Sequence, residues 1–99
     1  MKTKMNKFAL FLAKLHEKIL NEHNEVLEDL SVQELAEMYV EDFQEHKGTV
    51  NDGMESLLEF SIVLTKVEQK ILNKFGESIS DVKEKAKMYL DNFIKTTQE

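Results

Sequence analysis

The chain contains no cysteine, no proline, no tryptophan and no arginine, and only three glycines among its 99 residues. Without cysteine there is no disulfide, no thiolate nucleophile and no thiolate zinc site, and no dependence on an oxidising compartment. Without arginine, all 13 basic residues are lysine, so no side chain can make the bidentate contact that reads phosphate or guanine. Together with a net charge of −6, this predicts no direct binding to nucleic acid. Long apolar runs are also missing. Lys2, Lys4 and Lys7 precede an apolar stretch from Phe8 to Ala13, in the order of a secretory signal, but Lys14 ends the stretch and no small-residue cleavage site follows. A soluble, cytoplasmic chain is expected.

What is present is helical periodicity. Apolar residues recur at alternating three- and four-residue steps, and no strand pattern competes. In helix 1, Met5, Phe8, Leu12, Leu15 and Ile19 share a stripe opposite Lys7, Lys14 and Lys18, with a break or kink expected at Asn21 to Asn24. Ser31 with Glu34 three residues on forms a capping box for helix 2, flanked by Leu30 and Leu35 as a hydrophobic staple. Helix 2 buries Val32, Leu35, Tyr39 and Phe43, and Gly48 stands where a left-handed C-terminal cap is wanted. Helix 3 runs from Met54 to Phe75 on Leu57, Phe60, Leu64, Val67, Ile71 and Phe75, and Gly76 ends it. Helix 4 begins near Ser78 or Ser80 and turns Val82, Ala86, Tyr89 and Phe93 inward. Four helices with short connections predict an all-α fold, a single-domain antiparallel four-helix bundle over residues 1–99. No internal repeat or linker is read.

Three stretches approach known chemistry. Laid on HKGTVNDGMESLLE, residues 46–59, the calcium-loop template finds oxygen ligands in Asp52, Ser56 and Glu59, but Gly48 and Val50 fill its first and third positions and offer no side-chain oxygen. A helix connection in which Asp52 caps helix 3, with Glu55 at the third helical position, uses the same residues better. HEKIL, residues 16–20, opens like a zinc-protease signature but has Leu20 in place of the second histidine. Asp42 and His46 are one turn apart and make half a metal site at most, more simply a histidine favoured by the helix dipole. Neither a nucleophile with its base nor a glycine-rich phosphate cradle is present. The expectation is a non-enzymatic protein without cofactor or metal.

The surface is where the sequence is unusual. Residues 22–59 carry twelve acidic side chains and one lysine, whereas residues 1–21 carry five lysines and one acid. On helix 2, Glu34, Glu37, Glu41 and Glu45 project within about 80° of one another, an acidic stripe about 16 Å long. It is either a solvated face or a docking surface for a basic groove, with carboxylates standing in for phosphates. Leu58 and Ile62 lie one turn apart on the side of helix 3 that also carries Glu55, Glu59, Lys66 and Gln69, as a helix-mediated contact or as core. The partner class is another protein, and a homodimer through helix 3 would use the same pair. Attachment of helix 1 to an anionic membrane surface through Leu10 and its neighbouring lysines ranks lower, because the apolar patch is small.

The spans VLEDLSVQELAEMY, residues 26–39, and GMESLLEFSIVL, residues 53–64, resemble the second and third helices of the N-terminal domain of the bacterial condensin kleisins, without that family's glycine-proline motif. This resemblance implies an interaction module. The plan of about a hundred residues in four helices is similar to the bacteriocin immunity proteins, which implies action at a membrane target. With these two as alternatives, the leading expectation, in keeping with the composition and size, is a phage- or mobile-element-type inhibitor or regulator of a host protein, such as a nucleic-acid enzyme occupied through the acidic surface.

Overall fold

The structure, a computed structural model, describes residues 3–25, 30–47 and 53–97. Among them are four α-helices, α1 (Thr3–Glu22), α2 (Val32–Lys47), α3 (Met54–Lys74) and α4 (Val82–Thr97), and no strand. The all-α class is as expected, and the packing of α1 on α2 and of α3 on α4 is consistent with a helical bundle. The chain divides into two compact units, Met1–Asp52 and Gly53–Glu99, each a pair of helices.

In the first unit, α1 buries Met5, Phe8, Ala9, Leu12, Ala13 and His16, a run of steps of three and one that follows a single helical stripe. Its partner α2 buries Ala36, Val40 and Phe43. α1 stops where a break is expected. Asn24 takes φ 62, the Asn24 amide donates to the Asn21 carbonyl at 3.1 Å, and the Glu25 amide donates to the Leu20 carbonyl at 2.8 Å. These are the two bonds of a Schellman motif, with asparagine tolerating the left-handed position. α2 starts on the expected capping box. The Glu34 amide donates to Ser31 Oγ at 3.1 Å and the Ser31 amide to Glu34 Oε1 at 3.2 Å. Gly48 lies outside the described residues.

In the second unit, α3 buries Leu57, Phe60, Ser61, Leu64, Thr65 and Glu68, and α4 buries Ala86, Leu90 and Phe93. Gly76, at φ 80, ends α3 with the same two bonds, its own amide to the Asn73 carbonyl at 3.2 Å and the Glu77 amide to the Leu72 carbonyl at 2.9 Å. Two boundaries differ from the sequence expectation. α4 begins at Val82, because Asp81 Oδ1 accepts the Glu84 amide at 3.1 Å and so caps the helix in place of Ser78 or Ser80. Gly53, not Asp52, holds the N-cap position of α3, and no side chain bonds there; Asp52 itself lies outside the described residues.

The two units are copies of one pattern, contrary to the expectation of no internal repeat. The buried residues of α1 recur in α3 at a constant offset of 52: Met5 with Leu57, Phe8 with Phe60, Ala9 with Ser61, Leu12 with Leu64, Ala13 with Thr65, His16 with Glu68. Those of α2 recur in α4 at an offset of 50, and VQELAEMYVEDF and VKEKAKMYLDNF are identical at six of twelve positions. The left-handed Asn24 and Gly76 correspond, as do the caps Ser31 and Asp81. The repeat extends to backbone hydrogen bonds.

It also explains which expected core residues are displaced. Phe43, Leu57, Phe60, Leu64 and Phe93 are buried as expected, but Leu35, Tyr39, Val67, Ile71, Val82 and Tyr89 are only half-buried. Small residues, Ala9, Ala13, Ser61 and Thr65 in the middle of the α1 and α3 stripes and Ala36 and Ala86 at the start of those of α2 and α4, let the helices approach. The larger side chains therefore flank the contact or sit in a terminal turn.

Candidate functional site

Each helix pair holds one polar centre at the same place. In the first, His16 is 1% exposed, and its Nδ1 lies 2.7 Å from the hydroxyl of Tyr39, with the two rings edge to face at a centroid separation of 5.5 Å. In the second, the counterpart Glu68 is 0% exposed and its Oε1 accepts the hydroxyl of Tyr89, the counterpart of Tyr39, at 2.6 Å. Lys85 Nζ stands 2.8 Å from the other carboxylate oxygen and 5.7 Å from the centre of the Tyr89 ring. Its counterpart in the first pair is Leu35, so the cation is present only where the buried acid is.

The surroundings act on both phenols. Burial pushes Tyr39 up to about 12 from its ordinary 10. For Tyr89, burial, then the hydrogen bond to Glu68 and the negative charge of that carboxylate raise it further still. Both phenols are therefore neutral near neutral pH, and that of Tyr89 donates to Glu68. The remaining buried hydroxyls are spent on the backbone, Ser61 Oγ donating to the Ala86 carbonyl and Thr65 Oγ1 to the Ser61 carbonyl, each at 2.7 Å.

On the surface, Glu34, Glu37, Glu41 and Glu45 are all exposed along α2, although Glu34 also serves the cap of its own helix. Their counterparts on α4 are Glu84, Lys87, Asp91 and Lys95, which alternate in sign. Met38 is 47% exposed on α2, and its counterpart Met88 is 55% exposed on α4. Leu58 and Ile62 are half-buried on α3. Leu10 is half-buried too, in a cleft of about 270 Å³ between α1 and α2 that it lines with Asn6, Lys7, Gln33, Ala36 and Glu37.

The near-miss motifs resolve locally. His46 Nδ1 donates to the backbone carbonyl of Asp42 at 2.9 Å, so the side chain serves the end of α2 and not the Asp42 carboxylate. His23 Nδ1 does the same for Ile19 at 2.9 Å, and His16 of HEKIL is interior. Among the described residues no group of three or more histidines and acids is placed to hold a metal ion. Gly48, Val50 and Asp52 of the calcium-loop alignment lie outside the described residues. Among the described residues no helix is long and apolar enough to cross a membrane.

Sequence reasoning missed His16, Ser61, Thr65 and Glu68 as interior positions. The available signal was the register itself, since each is in step with the apolar residues of its helix. Comparison with known proteins gives no match: no family model, no curated protein and no solved structure aligns with the chain. The kleisin resemblance therefore stands on its two quoted stretches alone, and the immunity-protein resemblance on length and helix number alone.

Proposed function

We propose that the chain is a non-enzymatic binding protein that engages a basic surface of another protein through the acidic face of α2, in the manner of a small phage- or mobile-element-type inhibitor or regulator. The observation that carries this is the divergence of the two copies. They keep the same buried positions, the same cap positions and the same exposed methionine, yet α2 presents Glu34, Glu37, Glu41 and Glu45 where α4 presents Glu84, Lys87, Asp91 and Lys95. The scaffold does not require a one-sign stripe, because the other copy does without it. Four carboxylates on one helix create a field that steers a positive partner from beyond contact distance, and salt screens it.

The test is affinity capture from host extract with the unmodified chain and with Glu37→Lys/Glu41→Lys as parallel baits, followed by association kinetics on the captured protein. Both residues are exposed, so the fold should be retained. The expected result is a partner held at low salt whose association rate falls severalfold in the variant and with added salt. Equal rates for the two baits at low salt would make the stripe a solvated face. Leu58 and Ile62 on α3 enter as a separate apolar contact, and Leu58→Lys should then speed dissociation without changing association.

A further inference from the structure

The apolar surfaces of the two helix pairs are nearly interchangeable. α1 and α3 present equivalent stripes, and α2 and α4 answer them with Ala36, Val40 and Phe43 or with Ala86, Leu90 and Phe93. Burial of such surfaces is non-directional and favours α1 on α2 or α1 on α4 about equally. The same holds for exchange between two copies of the chain. Something else must restrict each helix to its partner.

We propose that the two buried polar centres form a pairing code. The code has two words, His16 with Tyr39 and Leu35, and Glu68 with Tyr89 and Lys85. Placed on α2, α3 would bring the Glu68 carboxylate to Tyr39 and Leu35, where the phenol is kept but the ammonium is lost. A buried charge deprived of its partner is strongly unfavourable. Placed on α4, α1 would bring the His16 imidazole to Tyr89 and to the ammonium of Lys85, a cation with no carboxylate to face. Either exchange keeps the apolar contacts and spoils a polar one, which is how a buried polar residue selects one partner among similar helices. Ser61 and Thr65 do not discriminate, because they donate to backbone carbonyls that any helix supplies. The covariation of Glu68 with Lys85, and of His16 with Leu35, is thus the part of the interior in which the copies had to differ.

The absence of cysteine allows a direct test in the full chain. Ser61 Oγ reaches the Ala86 carbonyl at 2.7 Å, and Ala9 and Ala36 are the counterparts of those residues, so Ala9→Cys with Ala36→Cys reports the observed pairing. Ala9→Cys with Ala86→Cys reports the exchanged one. After oxidation, non-reducing gels read disulfide yield within and between chains.

With both centres intact, the first combination should cross-link roughly tenfold or more over the second, the ratio of a pairing preference on the order of 1.4 kcal/mol. Glu68→His with Lys85→Leu turns the second centre into a copy of the first, and the exchanged cross-link should then rise severalfold, within one chain or between two. Lys85→Met alone disturbs a single half-buried side chain and should act in the same direction, since neither position 85 nor its counterpart Leu35 then offers Glu68 an ammonium. As a complementary measurement, His16→Glu should lower the melting temperature by more than about 10 °C, and adding Leu35→Lys should restore most of the loss. An unchanged exchanged yield in whichever Lys85 variant retains its helix content would overturn the code, as would failure of Leu35→Lys to rescue His16→Glu.

Discussion

Replacing Tyr89 by phenylalanine and Tyr39 by phenylalanine are the same change at the same place in the two copies, and the structure predicts different costs. Each removes one hydroxyl and leaves the ring. At Tyr89 the lost bond is donated to a buried carboxylate at 2.6 Å; at Tyr39 its partner is the ring nitrogen of a histidine at 2.7 Å. Hydrogen bonds to charged groups contribute about 1.5–3 kcal/mol, neutral ones about 0.5–1.5. Both tyrosines are half-buried, so water can replace part of the loss and the lower half of each range applies. Glu68 also keeps Lys85. The expected costs are about 2 kcal/mol for Tyr89→Phe and about 1 kcal/mol or less for Tyr39→Phe. For a domain of this size the difference corresponds to about 4–8 °C in melting temperature. Thermal and urea melts followed by far-ultraviolet circular dichroism measure both variants side by side. Equal costs, or a larger loss for Tyr39→Phe, would refute the assignment of Glu68 as a charged acceptor in the interior.

Other outcomes follow from the same geometry. Leu64 is 2% exposed and its counterpart Leu12 is 0% exposed, so alanine at either should cost about 2–5 kcal/mol in urea melts, and a loss under about 0.5 kcal/mol would place the residue at the surface. Gly76→Ala should destabilise by about 1 kcal/mol even though a Cβ there meets nothing within 4 Å, because the cost lies in φ 80 and not in packing. Stability should also fall in alkali. In the folded state both phenols hold their protons above the ordinary value of 10, Tyr39 to about 12, so above pH 10 the unfolded chain is deprotonated while the folded chain is not. Stability therefore declines as pH rises through that window, and with two tyrosines and no tryptophan in the chain, phenolate absorbance follows these groups directly.

The sequence determined the helices. Periodicity placed all four, Ser31 and Glu34 announced the start of α2, and Gly76 announced the end of α3, because caps and left-handed positions are set by a few neighbouring residues and the backbone groups they satisfy. The acidic stripe was equally legible, since the positions of Glu34, Glu37, Glu41 and Glu45 on one face follow from helix geometry alone. Which residues lie deepest was not. An apolar pattern read by side-chain size assigns the interior to Tyr39, Val67 and Tyr89, whereas helices that pack closely need small residues at the contact, and only the packed pair reveals that Ala9, Ser61 and Ala86 fill it.

The repeat stayed hidden for a related reason. Amphipathic helices resemble one another at any offset, and the change in spacing between the first and second helices of each copy breaks a single alignment. Burial and hydrogen bonding identified the equivalent positions. The helical register put His16 and Glu68 in step with the apolar stripes, but their polarity argued for solvent, and tertiary structure decided between the two. Each was drawn inside by a partner on another helix, Tyr39 for the histidine and Tyr89 with Lys85 for the glutamate, and the partners, with the tyrosines 23 and 21 positions away, have no local signal in the chain.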